Sequence, residues 1–350
     1  MRTFDYRTVP PELLTPEVMN LVSAIHEYRG RERHYGTARP EQLRALRDVA
    51  RIQSTGASNR IEGIYTSGDR LRMVVEGRSE PHDREEAQIA GYRDVLDTIH
   101  QSHEYIDVTP GVILQLHRDL FRSTGLSIGG RRKDSDNAIV EVVPGGARKT
   151  RFLPPPAREV PEAMQRLCDA HAQSHAGNAD PLLIACMFAF DFACIHPFND
   201  GNGRMSRLLT LLLLYKADYG VGAYVSLEGR IEQTKDGYYD ALARSSAGWA
   251  EGANDYAPIV TYLLGCIVAC YRTLDERLAL AGTRGTTKAD RVWAVFQAKL
   301  GKVTKDDIRN ECPDVSVRTI ERTLADLSRR GLIRKVDAGP ATGYVRVSKS

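Results

Sequence analysis

The chain is 350 residues long, 42% hydrophobic and 27% charged, with a net charge of +3, which fits a soluble globular protein with room for two or three domains. Its first ten residues have no apolar leader core. The longest apolar runs, 208–215 and 259–271, fall short of the roughly 18 residues of a membrane span, and no internal repeat or low-complexity segment appears, so neither secretion by that route nor a membrane partner is expected.

Pro10, Pro11 and Pro16 open the chain, and Leu21, Ile25 and Tyr28 then recur at helical spacing. Pro40 starts a longer helical pattern through Leu43, Leu46, Val49, Ala50 and Ile52 toward Ser58-Asn59-Arg60-Ile61-Glu62-Gly63, where Gly63 is a natural stop. Amphipathic helices are expected over 83–104 and 110–122. Residues 127–156 change character. Gly129, Gly130, Pro144, Gly145 and Gly146 punctuate two β-prone runs, 138–143 and 150–153, which read as a β-hairpin ahead of Pro154-Pro155-Pro156. Helices resume over 159–175, 181–195, 203–218, 229–246 and 255–280, and a small-residue linker follows at 281–287. The division expected is therefore an N-terminal helical region over 1–105, a core over 106–280, the linker, and a last domain over 288–350.

In that last domain helices over 291–300, 304–311 and 316–330 precede short strands over 333–336 and 344–347, an order that resembles a winged helix-turn-helix. From Thr286 onward 14 Lys and Arg face 8 Asp and Glu, an excess of six, so the residues before it carry the balance of −3. Arg318, Arg322, Arg329 and Arg330 lie on or near the helix that would enter a major groove. DNA is therefore a candidate partner, beside the reading that the module packs on protein or serves as a dimer arm. The six cysteines, at 168, 186, 194, 266, 270 and 312, form no C-x-x-C pair and point to a reducing cytoplasm. Cys266 and Cys270, one turn apart, read as buried small hydrophobes.

The chemistry concentrates in His196-Pro197-Phe198-Asn199-Asp200-Gly201-Asn202-Gly203-Arg204-Met205-Ser206-Arg207, between two apolar helices. A glycine-bearing helix N-terminus lets backbone N–H groups approach an anion closely. Arg204 and Arg207, three apart, share a helix face and suit a clamp on one polyanion. Asp200 suits a hard cation such as Mg2+, or caps the helix. His196 is a candidate general base at neutral pH. The residues read as a phosphate-handling site with its own base. Two other patterns carry no site. Gly145 to Thr150 ends like a phosphate loop but has no glycine before Lys149, and His171 and His175 lack a glutamate after His171.

The string 196–207 resembles the signature of the Fic (Fido) family, His-x-Phe-x-Asp-Gly-Asn-Gly-Arg-x-x-Arg, at every fixed position, and the likeness extends more weakly over about 40–275. It implies a mostly α-helical Fic core with a β-hairpin flap, and transfer of AMP from Mg-ATP to a Ser, Thr or Tyr hydroxyl of a protein, the chain itself included. By the same resemblance His196 takes the acceptor proton and Asp200 holds Mg2+. Gly201, Asn202 and Gly203 form the anion hole, Arg204 and Arg207 hold the outer phosphates, and Ser206 belongs to the nucleotide site. Ser58-x-x-x-Glu62-Gly63 matches the family's inhibitory motif, on a helix over about 40–63, which implies that Glu62 pairs with Arg207 and misaligns ATP. Ile139 and Val140 of the flap would cover the base, and Tyr238-Tyr239 would border adenine and ribose; on a helix such a pair is also ordinary core. Two rival functions remain open: a hydrolase that removes AMP at the same site, and a nucleotide-sensing DNA-binding regulator. A target protein of unknown identity is the expected partner, with a homodimer also considered.

Overall fold

The computed structural model describes residues 2–142, 148–282, 287–299, 301–336 and 342–347. The turn of the expected hairpin, most of the linker and the tip of the expected wing lie outside these residues.

Four helices have proline as their first residue: α1 (Pro16–Ala38), α2 (Pro40–Ile61), α5 (Pro110–Leu120) and α7 (Pro181–Ile195). Proline suits that position because the missing N–H would have had no partner there. Thr15, Thr109 and Asp180 cap α1, α5 and α7 by accepting backbone N–H groups. Between them run α3 (Gly68–Val75), α4 (Arg84–Ser102), the antiparallel strands β1 (Ile139–Val142) and β2 (Arg148–Phe152), and α6 (Val160–Gln173). Then follow α8 (Asn202–Lys216), α9 (Leu227–Gln233), α10 (Lys235–Ser246) and α11 (Ala257–Gly282). Neither α3 nor the break at Thr234 is expected from the sequence pattern, which reads 229–246 as one helix.

The main core gathers α7 and α8 at its centre, with Phe188, Phe190, Phe192, Leu208, Leu211 and Leu212 all buried. α7 is apolar on every face because it is enclosed on every face. Asp191 is the exception: it accepts hydrogen bonds from Tyr6, Trp249 and Tyr256 and sits 3.5 Å from Arg2. α2 packs on α4 and α9, which brings its C-terminus over the N-terminus of α8. Residues 257–279 of α11 are long and apolar enough to cross a membrane, with mean hydropathy 1.5, so the sequence reading of a short run at 259–271 is corrected. Here Ile259, Val260, Leu264, Ile267 and Leu274 enter the core.

A second cluster is built by α12 (Lys288–Ala298), α13 (Lys305–Glu311) and α14 (Val317–Arg329), with Val292, Phe296, Ile308, Ile320 and Leu324 buried. Capping boxes at Thr287 with Asp290 and at Thr304 with Asp307 start α12 and α13. Among the described residues the module has three strands, β3 (Lys302–Thr304), β4 (Ile333–Val336) and β5 (Gly343–Arg346), in the antiparallel order β3-β5-β4. β3 escapes the sequence reading because three residues carry no alternation. This order of helices and strands is compatible with the winged helix-turn-helix expected from the sequence. The module meets the core through α12 and α13: Glu311 lies 3.7 Å from Arg277 of α11, and Val295, Lys299 and Asn310 face α2 and α9 across a cleft of about 990 Å³. All six cysteines are buried and free.

Candidate active site

His196 ends α7 in the left-handed conformation, φ 51° and ψ 59°. This turns the chain out of the core helix and into the loop. Its Nδ1 lies 3.3 Å from the Ala193 carbonyl oxygen. A carbonyl only accepts, so Nδ1 carries the proton and Nε2 keeps its lone pair. Burial lowers the His196 pKa below the ordinary 6.5, outweighing the Ala193 contact. The imidazole is thus neutral near pH 7, as a base must be.

The loop is held shut by its own residues. Asn202 spans it, accepting from the Phe198 N–H at 3.0 Å and donating to the Phe198 carbonyl at 2.8 Å. The Asn202 side chain is thereby committed to the loop. Gly201 has φ +83°, and a Cβ there would sit 2.9 Å from the Phe121 ring, so glycine is needed on both counts. His117 of α5 stacks on Phe198 with ring centroids 3.7 Å apart. Its Nε2 reaches the Asp200 carbonyl at 3.0 Å, and its Nδ1 accepts the Gly130 N–H at 3.0 Å. Lys133 donates its backbone N–H to the Pro197 carbonyl at 2.8 Å. Both residues escape the sequence reading, because a lone histidine or lysine carries no local signal of a contact made some 65 to 80 residues away.

Arg207 is buried in the first turns of α8. Its Nε donates to Ser58 Oγ at 2.8 Å, and its Nη2 donates to the Ser58 carbonyl at 2.9 Å and to Glu62 Oε1 at 2.8 Å. Glu62 follows the last residue of α2, where Lys235 of α10 donates to the Ile61 carbonyl at 2.8 Å and pins the helix end. Burial would raise the Glu62 pKa, but the Arg207 charge and hydrogen bond hold it below the ordinary 4.5. A Cβ on Gly203 would lie 2.2 Å from Glu62 Oε1. The carboxylate therefore rests directly over the helix N-terminus, in the place an anion takes.

Arg204 differs. It is 1% exposed, its ring contact is Phe121 at 5.1 Å, and Asp200 lies 3.5 Å from Nη2. Among the described residues its Nε and Nη1 have no hydrogen-bond partner. Burial holds its pKa below the usual guanidinium value. Buried donors without partners are costly, which sets this arginine apart from Arg207 and its three hydrogen bonds. Asp200 is half exposed, with Oδ1 accepting the Gly201 N–H at 2.6 Å. No group of three metal-ligating side chains occurs among the described residues. One carboxylate fits Mg2+ of the kind held chiefly by substrate phosphates and water.

A cavity of about 750 Å³ opens here. Glu62, Ile139, Val140, His196, Asn202, Gly203, Ser206, Arg207, Tyr238 and Tyr239 all line it, drawn from α2, the β1–β2 hairpin, the loop, α8 and α10. Asp200, Gly201, Arg204 and Ser58 lie outside the lining, the first three at the loop and Ser58 beneath Arg207. Ser206 Oγ donates to the Ala189 carbonyl at 3.0 Å, which turns it toward α7. Tyr238 is buried against Tyr239 and Tyr262 at 5.4 and 5.7 Å, so it serves the core and the cavity wall together. Arg151 of β2 also lines the cavity, 5.3 Å from the Tyr239 ring, and is absent from the sequence reading. Chemically the arrangement offers a neutral base, a cationic helix N-terminus and a walled slot beside both.

Comparison with known proteins places this fold among relatives. Residues 107–214 match the model of the Fic/DOC family. The protein adenylyltransferase Fic of Drosophila sechellia is 28% identical over 258 residues, 73% of this chain and 45% of the relative. The chain spans about half the length of the curated relatives it matches. A Fic family protein from Desulfovibrio desulfuricans superposes with a TM-score of 0.60 at 26% identity, covering 98% of this chain and 99% of that one. A Fic domain containing signaling protein from Bacteroides thetaiotaomicron shares the fold, with a TM-score of 0.57 at 21% identity over 73% of this chain and 95% of that one.

Proposed function

We propose, on the premise that residues 107–214 form a Fic/DOC-family domain, that the chain is a protein adenylyltransferase repressed by Glu62. The observation that carries this is the joint placement of His196, Arg207, Glu62 and the β1–β2 hairpin around one cavity. A hydroxyl oxygen of a target protein attacks the α-phosphorus of ATP. The new O–P bond forms as the bond to the bridging oxygen of the diphosphate breaks, and the diphosphate leaves. Nε2 of His196, free to accept, takes the hydroxyl proton. The helix N-terminus with Gly203 and the unpartnered donors of Arg204 stabilise the departing charge. Mg2+ beside Asp200 would supply further charge neutralisation between the phosphates. The half-buried Ile139 and exposed Val140 on β1 cover the nucleotide base, with Tyr238 and Tyr239 opposite.

In the observed pairing, Glu62 holds Arg207 and covers Gly203, so the outermost phosphate has neither its cation nor its seat. ATP that binds in this state binds out of line for attack. The protein partner is any chain that can lay a hydroxyl beside His196, and self-modification is the form easiest to detect.

The test is incubation of the wild type and Glu62→Gly with several α-labelled nucleotides, followed by mass spectrometry of the labelled protein. Transfer from ATP by Glu62→Gly supports the proposal. Release of AMP from a pre-modified target with no transfer by either chain would instead favour the hydrolase.

A further inference from the structure

The C-terminal module pairs its charges unevenly. Arg291 pairs with Asp314, Lys299 with Asp307, Lys305 with Glu321, and Arg309 with Asp306. Arg329 and Arg330 both reach Asp326. Six exposed cations make no ion pair among the described residues: Lys288 at the start of α12 and, grouped apart from it, Arg318 and Arg322 on α14, Arg334 and Lys335 on β4, and Arg346 on β5. Apart from Lys288, the acidic residues thus neutralise the cations at α12, α13 and the C-terminal end of α14. The N-terminal half of α14 and the wing strands stay positive.

Placement sharpens the point. Arg318 and Arg322 are one helical turn apart and share a face of α14, while Ile320, Leu324 and Leu327 enter the module's core. Val317, 43% exposed, sits at the same end and offers an apolar contact. The junction with the catalytic core uses other elements: Glu311 of α13 faces Arg277, and Val295 of α12 and Lys299 just past its end line the cleft against α2 and α9. That docking leaves the cationic face turned to solvent.

We propose that this face binds double-stranded DNA, with α14 in the major groove and the β4–β5 wing along the neighbouring backbone. A major groove admits one α-helix, and a recognition helix reads base edges from its N-terminal residues, where Arg318 and Arg322 stand. The wing cations then neutralise phosphates and release the counterions condensed there. Arginine matches guanine edges or phosphate in bidentate fashion, and an exposed valine fits a thymine methyl group.

The test is fluorescence anisotropy of the full-length chain with a labelled random-sequence duplex of about 20 base pairs, over a salt series, with polyglutamate as competitor. On a random-sequence duplex, with no fixed base to read, the two α14 arginines and the three wing cations all face phosphates; five such contacts set a log–log salt slope of about −4.5, or about 0.9 per contact, and each arginine pair removed makes it shallower by about 2 units. The double substitution Arg318→Ala and Arg322→Ala is expected to lower affinity by about tenfold or more, as is Arg334→Ala with Arg346→Ala. Arg33→Ala, an exposed arginine of α1, is expected to bind as the wild type does. Unchanged melting temperatures for these exposed substitutions would exclude unfolding as the cause. No binding at low salt, wild-type affinity in the α14 variant, or equal competition by polyglutamate would each overturn the proposal, the last by pointing to an acidic protein partner.

Discussion

The proposed role of His196 as base rests on two local facts: a carbonyl fixes the proton on Nδ1, and burial keeps the ring neutral. A pKa lowered below 6.5 means that the charged form prevails only in more acid solution. The acid limb of the kcat/KM profile of Glu62→Gly should therefore fall below pH 6.5, and a limb above it would contradict the assignment. His196→Ala should reduce transfer by about 10²–10⁴-fold while nucleotide binding, measured by calorimetry, is largely kept, since the ring touches the acceptor proton and not the phosphates. Glu62 has the opposite sign. Its pKa is lowered by Arg207, so the pair persists above the ordinary 4.5 and is lost only as pH falls through the depressed value. Repression should accordingly be unchanged across the neutral range. Among the described residues Arg204 has no partner for two buried donors, and Arg204→Ala should cost about 10²–10³-fold in kcat through lost charge stabilisation.

At the scale of elements, the loop between α7 and α8 is a small machine of backbone contacts. His117→Phe would keep the stack on Phe198 but leave the Asp200 carbonyl and the Gly130 N–H without their partner, at about 1–3 kcal/mol for each buried group. Denaturant unfolding should read that loss directly, and a variant as stable as the wild type would show that the His117 bonds are replaced by water. The string from His196 to Arg207 was legible because its parts are contiguous and lie at the mouth of one helix. Glu62 was legible only through its resemblance to a motif, since nothing local says that α2 ends above Gly203. His117, Lys133, Arg151 and Lys235 were not legible, because each acts across a contact that the fold makes and the sequence interval hides. The helix boundaries follow the same logic. α7 begins and ends where the sequence pattern puts it because Pro181 and His196 mark it, whereas α9 and α10 read as one helix in sequence because Thr234 is neither proline nor glycine.

For the whole molecule, two cores joined through α12 and α13 imply separable parts. A chain ending after Gly282 should stay folded and keep its transfer chemistry, because Val292, Phe296 and their neighbours form a cluster of their own. An insoluble product would show instead that the module completes the core. The larger claim is that a helix from the N-terminal region controls a site built 145 residues away, through one ion pair. The most direct measurement is the rate of self-modification from Mg-ATP in the wild type, Glu62→Gly, Arg207→Ala and the double variant. Glu62→Gly should be much faster than the wild type. The double variant should match Arg207→Ala alone, because two residues that share one interaction are not additive. A Glu62→Gly variant no faster than the wild type, or a double variant rescued to the Glu62→Gly rate, would contradict the account.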